Sequence, residues 1–220
     1  TIDYFNIKVD DAIGTVGRNL SIQQCLLTAS PVFCGNVIRD PNTGFVVTVN
    51  DQLINVASLR TSGVDVGLRY TTRLGLIGND RLDLTGNYTY LIEYKNQANP
   101  IAPVREFADT IYFPRHKATA RAAYRNEGFT FSWQVNFLSG GTADIDLVDD
   151  VDAAPLNHVD PRFYHDAQIR WDMGEDRRFS FYVGVDNVFD TQAPFLPGTP
   201  FSGSPPGTEP GAEYYYSVGR

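Results

Sequence analysis

Six stretches between Val64 and Asp186 alternate apolar and polar residues with a period of two, the spacing at which successive side chains of a β-strand point to opposite faces. Val64, Val66, Leu68, Tyr70, Thr72 and Leu74 fall on one side, with Asp65, Gly67, Arg69, Thr71 and Arg73 on the other. The same alternation recurs over 82–94, 117–125, 129–137, 162–173 and 179–186. Across all six, the apolar sides hold 32 positions and no Asp, Glu, Lys or Arg, whereas the opposite sides carry 13 such charges in 30 positions. A chain that is 20% charged would put about six on the first set by chance. Weaker strands are expected over Ile2 to Ile13 and from Glu213 to the end, about eight in all. The 19 Gly, 14 Phe and 12 Tyr favour strands over helices, so the chain reads as nearly all β.

Such alternation also suits a soluble two-layer β protein, which hides one apolar face against another. Bulk composition narrows the choice. A formal charge of −8 and a pI near 4.8 argue against a nucleic-acid surface, which needs clustered Lys and Arg to displace phosphate counterions. No run approaches the 18 apolar residues of a membrane-spanning helix, and the mean hydropathy is −0.24. That excludes a helical membrane protein and leaves a transmembrane barrel open, because alternating strands average out in any hydropathy window. The chain opens with Thr directly in a strand pattern and shows no signal peptide, so it reads as mature material or an excised fragment.

The connections discriminate further. Turns at 75–80, 126–128 and 174–178 are short, whereas loops at about 14–43, 96–114, 139–160 and 189–212 are long. Strands of this length with trimmed turns at one end and long loops at the other match an outer-membrane barrel, its short turns periplasmic. Apolar-side aromatics bracket the short turns: Tyr70 before the first, Tyr124 and Phe129 around the second, Trp171 and Phe179 around the third. Rings with an apolar body and a polar tip settle at headgroup level, which makes this a candidate interfacial girdle.

With those features in place, the chain resembles the carboxyl-terminal barrel of TonB-dependent outer membrane receptors over nearly its whole length. Asp3, Tyr4 and Phe5 resemble the strand opener of that family. Asn55, followed by Gly63, Val64 and Asp65, is similar to its Asn then Gly-Val-Asp pattern. Pro114, Arg115, His116 and Lys117 resemble the basic segment that returns to the barrel after a long loop. Asp186, Asn187, Val188, Phe189 and Asp190 resemble the Asn-Leu-Phe-Asp signature of the penultimate strand, with Val in place of Leu. Asn and Asp there would bond to nearby backbone and end the strand, while Val and Phe fill the apolar side. The resemblance implies an all-β, antiparallel up-and-down transmembrane β-barrel, of which residues 1–220 are about the last eight strands of a 22-stranded type. Nothing resembles the plug domain, the energy-coupling box or the earlier strands, and the chain stops after Tyr214, Tyr215 and Tyr216 without the terminal aromatic of the family.

Several residues stand out as candidates for chemistry. Cys25 and Cys34, nine positions apart in a polar loop, suit a disulfide in an oxidising compartment better than a metal site, two free thiols being the alternative. Closing so short a loop is worth about 2.7 kcal/mol in the chain-entropy account. The charges Asp65, Arg69, Arg73, Arg121, Arg125, Arg170 and Asp172 would line the lumen, hydrogen-bonding a plug and flanking a wet route for cargo, or would only solvate it. The loop holding Asp144, Asp146, Asp149, Asp150, Asp152, His158 and Asp160 offers hard oxygen ligands suited to calcium, yet lacks EF-hand spacing, and a solvated acidic surface loop is the plainer reading. Similarly, the Pro-rich loop with Phe195, Phe201, Pro205 and Pro206 reads as a plain loop or a lid over the pore. Gly-x-Ser-x-Gly, Walker, Gly-x-Gly-x-x-Gly and His-Glu-x-x-His motifs are all missing, and no two of His116, His158 and His165 sit at metal spacing with another ligand, so neither an enzyme nor a cofactor is expected.

The leading expectation is therefore part of a bacterial outer-membrane importer that binds a scarce nutrient at its surface. By resemblance, its partners would be the TonB complex, acting through parts of the parent protein not in this chain, and outer-membrane lipid. The cargo would be an iron siderophore, cobalamin or a saccharide, and nothing in the loops chooses among them. A self-contained eight-stranded anchoring or adhesion barrel and a soluble β-sandwich binding domain are the competing readings.

Overall fold

The computed structural model describes residues 1–15, 17–51, 53–97, 102–145, 157–173 and 178–194. In chain order the elements are β1 (Ile2–Thr15), α1 (Arg18–Thr28), α2 (Pro31–Cys34), β2 (Val37–Arg39), β3 (Val46–Val49), β4 (Leu53–Thr72), β5 (Arg81–Gln97), β6 (Arg105–Glu106), β7 (His116–Asn126), β8 (Phe129–Leu138), β9 (Gly141–Thr142), β10 (His158–Val159), β11 (Arg162–Met173) and β12 (Phe179–Val185). One large sheet runs β1-β4-β5-β7-β8-β11-β12, with β6 attached to β5, while β2–β3 and β9–β10 form two small hairpin pairs. Apart from these loop strands, neighbours in the sheet are neighbours in sequence, the up-and-down order expected from the strand pattern. Among the described residues the path does not close on itself, unlike a complete eight-stranded cylinder.

Contacts divide the chain into two compact units. The first comprises Thr1–Phe5, Ser62–Glu93 and Phe107–Arg220, and the second Asn6–Thr61 and Tyr94–Glu106. In the first unit the register joins the apolar sides of successive strands into one face. Ala120 pairs with Val135, Val135 with His165, Ala122 with Trp133, and Trp133 with Ala167. Ile169 then pairs with Val183 and Trp171 with Phe181. The polar sides coincide equally well, with Thr85 opposite Arg121, Arg121 opposite Gln134, and Arg170 opposite Tyr182. A slip of one residue in any pair would send half of each set to the wrong side. Strand β4 joins the same scheme through its side chains: the Thr71 hydroxyl donates to Asp83 at 2.9 Å and the Thr89 hydroxyl donates to Asp65 at 2.6 Å.

The apolar face carries no second protein layer among the described residues. Leu68, Ile169, Trp171 and Phe181 are 61%, 48%, 57% and 59% exposed. The buried cluster found among the described residues instead joins Leu138 and Tyr164, from the polar sides of β8 and β11, to Ile111 and Val159 from the adjoining loops. Two aromatic rows bound the bare face. Phe129 pairs with Trp171 at the short-turn end, and eight residues along β8 Phe137 pairs with Phe163. At a rise of about 3.3 Å per residue and a tilt near 40°, the rows stand about 20 Å apart along a barrel axis, close to the ~25 Å apolar band of outer-membrane barrels.

The histidines on that face find local partners. Trp133 Nε1 donates to His165 Nδ1 at 3.2 Å, and the Phe189 ring meets His165 edge-on at 4.9 Å. His116 Nδ1 lies 2.7 Å from the Tyr88 hydroxyl, and its ring stacks on Tyr90. Near the first turn, the Tyr124 hydroxyl points to Asp80 at 3.3 Å, polar tip towards the turn as an interfacial tyrosine should be.

Three features depart from the sequence reading. Strand β4 starts at Leu53 rather than Val64, because Asn55 to Ser62 mixes polar and apolar residues without strict alternation, which does not prevent backbone pairing. The stretch expected as one long loop after β1 contains two helices and a hairpin, all within the second unit. Helix α1 presents only Ile22 and Leu26 at helical spacing, too short a signal to stand out beside the strands. The strand expected from Glu213 onwards lies outside the described residues.

Gly63 shows how tightly β4 is approached. A Cβ there would come within 2.5 Å of the Phe5 ring and 2.6 Å of the Tyr90 carbonyl oxygen. Gly63→Val should therefore cost at least about 1–3 kcal/mol of overpacking, read as a lower urea midpoint of the refolded parent protein in detergent. Val66→Arg and Val135→Arg should each cost about 2–4 kcal/mol and impair membrane assembly, whereas Arg69→Gln should not. A folding assay by heat-modifiable gel mobility compares the three.

Candidate functional site: the charged face of the sheet

Strands β5, β7 and β11 bring Arg81, Arg121, Arg125 and Arg170, together with Arg73 one residue beyond the end of β4, around one recess of about 810 Å³ at the short-turn end of the polar face, in the first unit. A second recess of about 470 Å³ shares Arg81, Arg121 and Arg125 and adds Arg69. Each arginine stands at a polar-side position of its strand, so strand periodicity alone aims them together. Asp83 sits between two of them, 3.2 Å from Arg81 Nε and 3.3 Å from Arg125 Nε. Asp172 takes Arg170 Nε at 3.0 Å and the Ser180 hydroxyl at 2.6 Å. Among the described residues Arg121 reaches only the Ser132 hydroxyl, at 3.2 Å. With arginine side chains about half exposed, each pair is worth little in stability, and the arrangement is better understood as placing charge.

Of the residues picked out from the sequence, Arg73, Arg121, Arg125, Arg170 and Asp172 thus meet at one recess and Arg69 at its neighbour. Asp65 stands on the same face, held by Thr89. Arg81 and Asp83 belong to the group but escaped the sequence reading. Arg81 lies one residue before the strand start set at Leu82, and Asp83 was placed on this face without being singled out.

Asp80 was also missed, although Asn79-Asp80 is a recognisable turn pair. It is buried and closes the first short turn. Its carboxylate accepts from the backbone N–H groups of Gly75, Leu76 and Ile77 at 2.7, 3.0 and 3.3 Å. Burial works against its charge, but the three N–H groups and the Tyr124 hydroxyl outweigh it and hold the carboxyl below its ordinary value of 3.8.

Towards the long-loop end the polar face continues through Asp166 and its amide partners. Asp166 accepts from Asn136 Nδ2 at 3.0 Å and from the Asn187 backbone N–H at 2.9 Å. Asn187 adopts a positive φ of 52°, a conformation that Asn tolerates better than most residues, and its side chain clasps Thr191 N and O at 2.9 and 3.1 Å. Val188 N donates to the His165 carbonyl, and Asp190 N to that of Asn187. The Asp186–Asp190 segment therefore ends β12 by the expected device, with Phe189 turned onto the apolar side.

The other sequence candidates resolve as follows. Cys25 and Cys34 form a disulfide that joins α1 to α2. Arg115 Nη1 donates to the Ile92 carbonyl at 3.2 Å, tying the returning segment to β5. Asp144 and Asn157 exchange hydrogen bonds of 2.7 Å, and His158 pairs with Thr142 in β9–β10, so the base of the acidic loop is a built stem. Asp146, Asp149, Asp150 and Asp152 lie outside the described residues, as do Phe195, Phe201, Pro205 and Pro206. Among the described residues no group of three His, Cys, Asp or Glu is arranged to hold a metal ion.

Compared with known proteins, residues 1–188 match the family model described as TonB dependent receptor-like, beta-barrel. No curated protein matches the chain.

Because the folded-state pKa of Asp80 is depressed, its contribution to stability is complete above the unfolded value near 3.8 and is lost as pH falls through the lower folded value. Acidification from about pH 5 to pH 2 should thus weaken the wild-type protein more than Asp80→Asn, whose midpoint should already be lower at neutral pH. Denaturant titration at stepped pH measures both.

Proposed function

Since the chain belongs to the TonB-dependent receptor-like β-barrel family, we propose that it forms wall and surface loops of an outer-membrane importer for a scarce nutrient. The bare apolar face carries this reading most directly: a strip of side chains of membrane height, flanked by aromatic rows, with every described inward arginine of β4, β7 and β11 on the other side. On this reading acyl chains cover the apolar face and water fills the lumen.

The residues then have distinct tasks. Arg69, Arg73, Arg121, Arg125 and Arg170 supply fixed positive charge at the periplasmic end of the lumen, where they face the plug and border the cargo route. Asp65 and Asp172 belong to the same lining. The disulfide-linked helices and the acidic loop are cell-surface elements on this reading. Ligand capture belongs to these loops, and siderophore-iron, cobalamin and saccharide are all compatible with their composition. Energy reaches the site through the TonB complex, which acts on parts of the parent protein outside this chain. Neither an enzyme nor a resident cofactor enters the account, in keeping with a family of transporters.

Among the described residues, support for an importer over a soluble β-sandwich comes from the lack of a covering layer, and over a self-contained anchor from a sheet path that stays open. The parent protein should sediment with outer membranes and require detergent for extraction. Cells lacking its gene and cells lacking TonB should lose growth on the same limiting nutrient. Release of the parent into the aqueous phase, or growth indifferent to both deletions on siderophore-iron, cobalamin and saccharides, contradicts the proposal.

A further inference from the structure

Six of the fifteen arginines of the chain, Arg69, Arg73, Arg81, Arg121, Arg125 and Arg170, converge on the two adjoining recesses at the short-turn end of the polar face. That concentration runs against the composition, since the whole chain carries −8. The local acids do not neutralise it. Six arginines face four acids: Asp83 is shared by Arg81 and Arg125, Asp172 is engaged by Arg170, the carboxylate of Asp80 is consumed by the N–H groups of its own turn, and Glu127 lines the larger recess, which leaves a surplus of two positive charges. Arg69, Arg73 and Arg121 have no carboxylate partner among the described residues.

From this we infer a binding station for a solute bearing two or more carboxylate or phosphate groups. The inference rests on the importer reading, because only there is this face a lumen wall, and it narrows the cargo to an anion. Three features of the geometry favour such a ligand. Arg69 and Arg121 come from different strands, β4 and β7, so their spacing is fixed by the hydrogen-bonded sheet, and Arg73 follows one residue beyond the end of β4. Guanidinium groups offer planar, paired donors that match the oxygen spacing of carboxylate and phosphate. Thr130 and Gln168 on the floor of the larger recess add neutral groups able to bond to further oxygens of the same ligand. The neighbouring pairs add a second effect. Asp83 holds Arg81 and Arg125 to the wall and leaves about half of each side chain exposed, so they raise the local positive potential without filling the space.

Equilibrium dialysis of radiolabelled pyrophosphate against the full-length parent protein in non-ionic detergent tests this, with spermidine as the cationic counterpart. Wild type should bind pyrophosphate saturably and more weakly as salt rises, and should not bind spermidine at this recess. The double variant Arg73→Gln/Arg121→Gln should lose affinity by about tenfold or more, as expected for removing charge-assisted hydrogen bonds. Arg39→Gln makes a single change of the same kind on the β2–β3 hairpin, where that side chain bonds to Gly44, and should leave affinity unchanged. Heat-modifiable mobility confirms that each variant is folded, and Arg69→Gln serves if the double variant is not.

Equal affinity in wild type and a folded recess variant overturns the inference. So does the absence of saturable binding by wild type, which would mean that another part of the parent protein, such as an acidic plug surface, already occupies the recess. Neither result touches the importer reading if the protein still fractionates with outer membranes and supports TonB-dependent growth. Conversely, failure of that fractionation removes the lumen whatever the dialysis shows.

Discussion

A β-sheet can leave one apolar face without a protein layer only where something other than water covers it. Phe, Trp, Ile and Val side chains along β8, β11 and β12 would each lose a third or more of a transfer free energy of about 1.5–3 kcal/mol if left in water. Lipid removes that cost but imposes another: it offers no hydrogen bonds, so each backbone N–H and C=O at membrane depth must find a partner in a neighbouring strand. The continuous ladder from β5 through β7, β8 and β11 to β12 meets that demand across the described registers. Burial on one side and pairing along the edges are thus two consequences of a single medium.

The same medium sorts the polar groups. Arginine and aspartate stand on the face away from the aromatic rows, and the two histidines on the apolar side each find an aromatic partner for a ring nitrogen, Trp133 for His165 and Tyr88 for His116. Where the chain leaves the sheet, different solutions appear. Asp80 gathers three backbone N–H groups to make a short turn, while Asn187 uses a left-handed backbone and a two-sided side-chain clasp to release β12 into a loop. The long-loop end has its own small core of Ile111, Leu138, Val159 and Tyr164, which packs loop segments where hydrocarbon no longer provides burial.

Period-two alternation made the sheet and its two faces legible before any coordinates, because strand parity depends on single residues and the register preserved it from Asp83 to Gly184. The arginine group was legible for the same reason: Arg73, Arg121, Arg125 and Arg170 each follow from parity, and only their convergence on one recess needed the register. Other parts depend on information that no short window holds. Helix α1 has a weak apolar stripe and is held by a disulfide and by the Asp51 carboxylate at Gly17 N, 34 residues away. Tyr164 looks like an inward polar residue, but its burial comes from loop residues Ile111 and Val159, distant in sequence. The role of Asp80 depends on how the turn folds back on it.

Collision measurements on nitroxide labels placed singly at 131 through 137 on β8, in the parent protein reconstituted in bilayers, test most directly which medium wets the apolar face. The account predicts that labels at 131, 133, 135 and 137 meet oxygen dissolved in the lipid, while those at 132, 134 and 136 meet a water-soluble nickel chelate. If the odd-numbered labels meet the chelate as often as the even ones, or are shielded from both reagents by a second protein layer, the membrane-facing assignment is wrong.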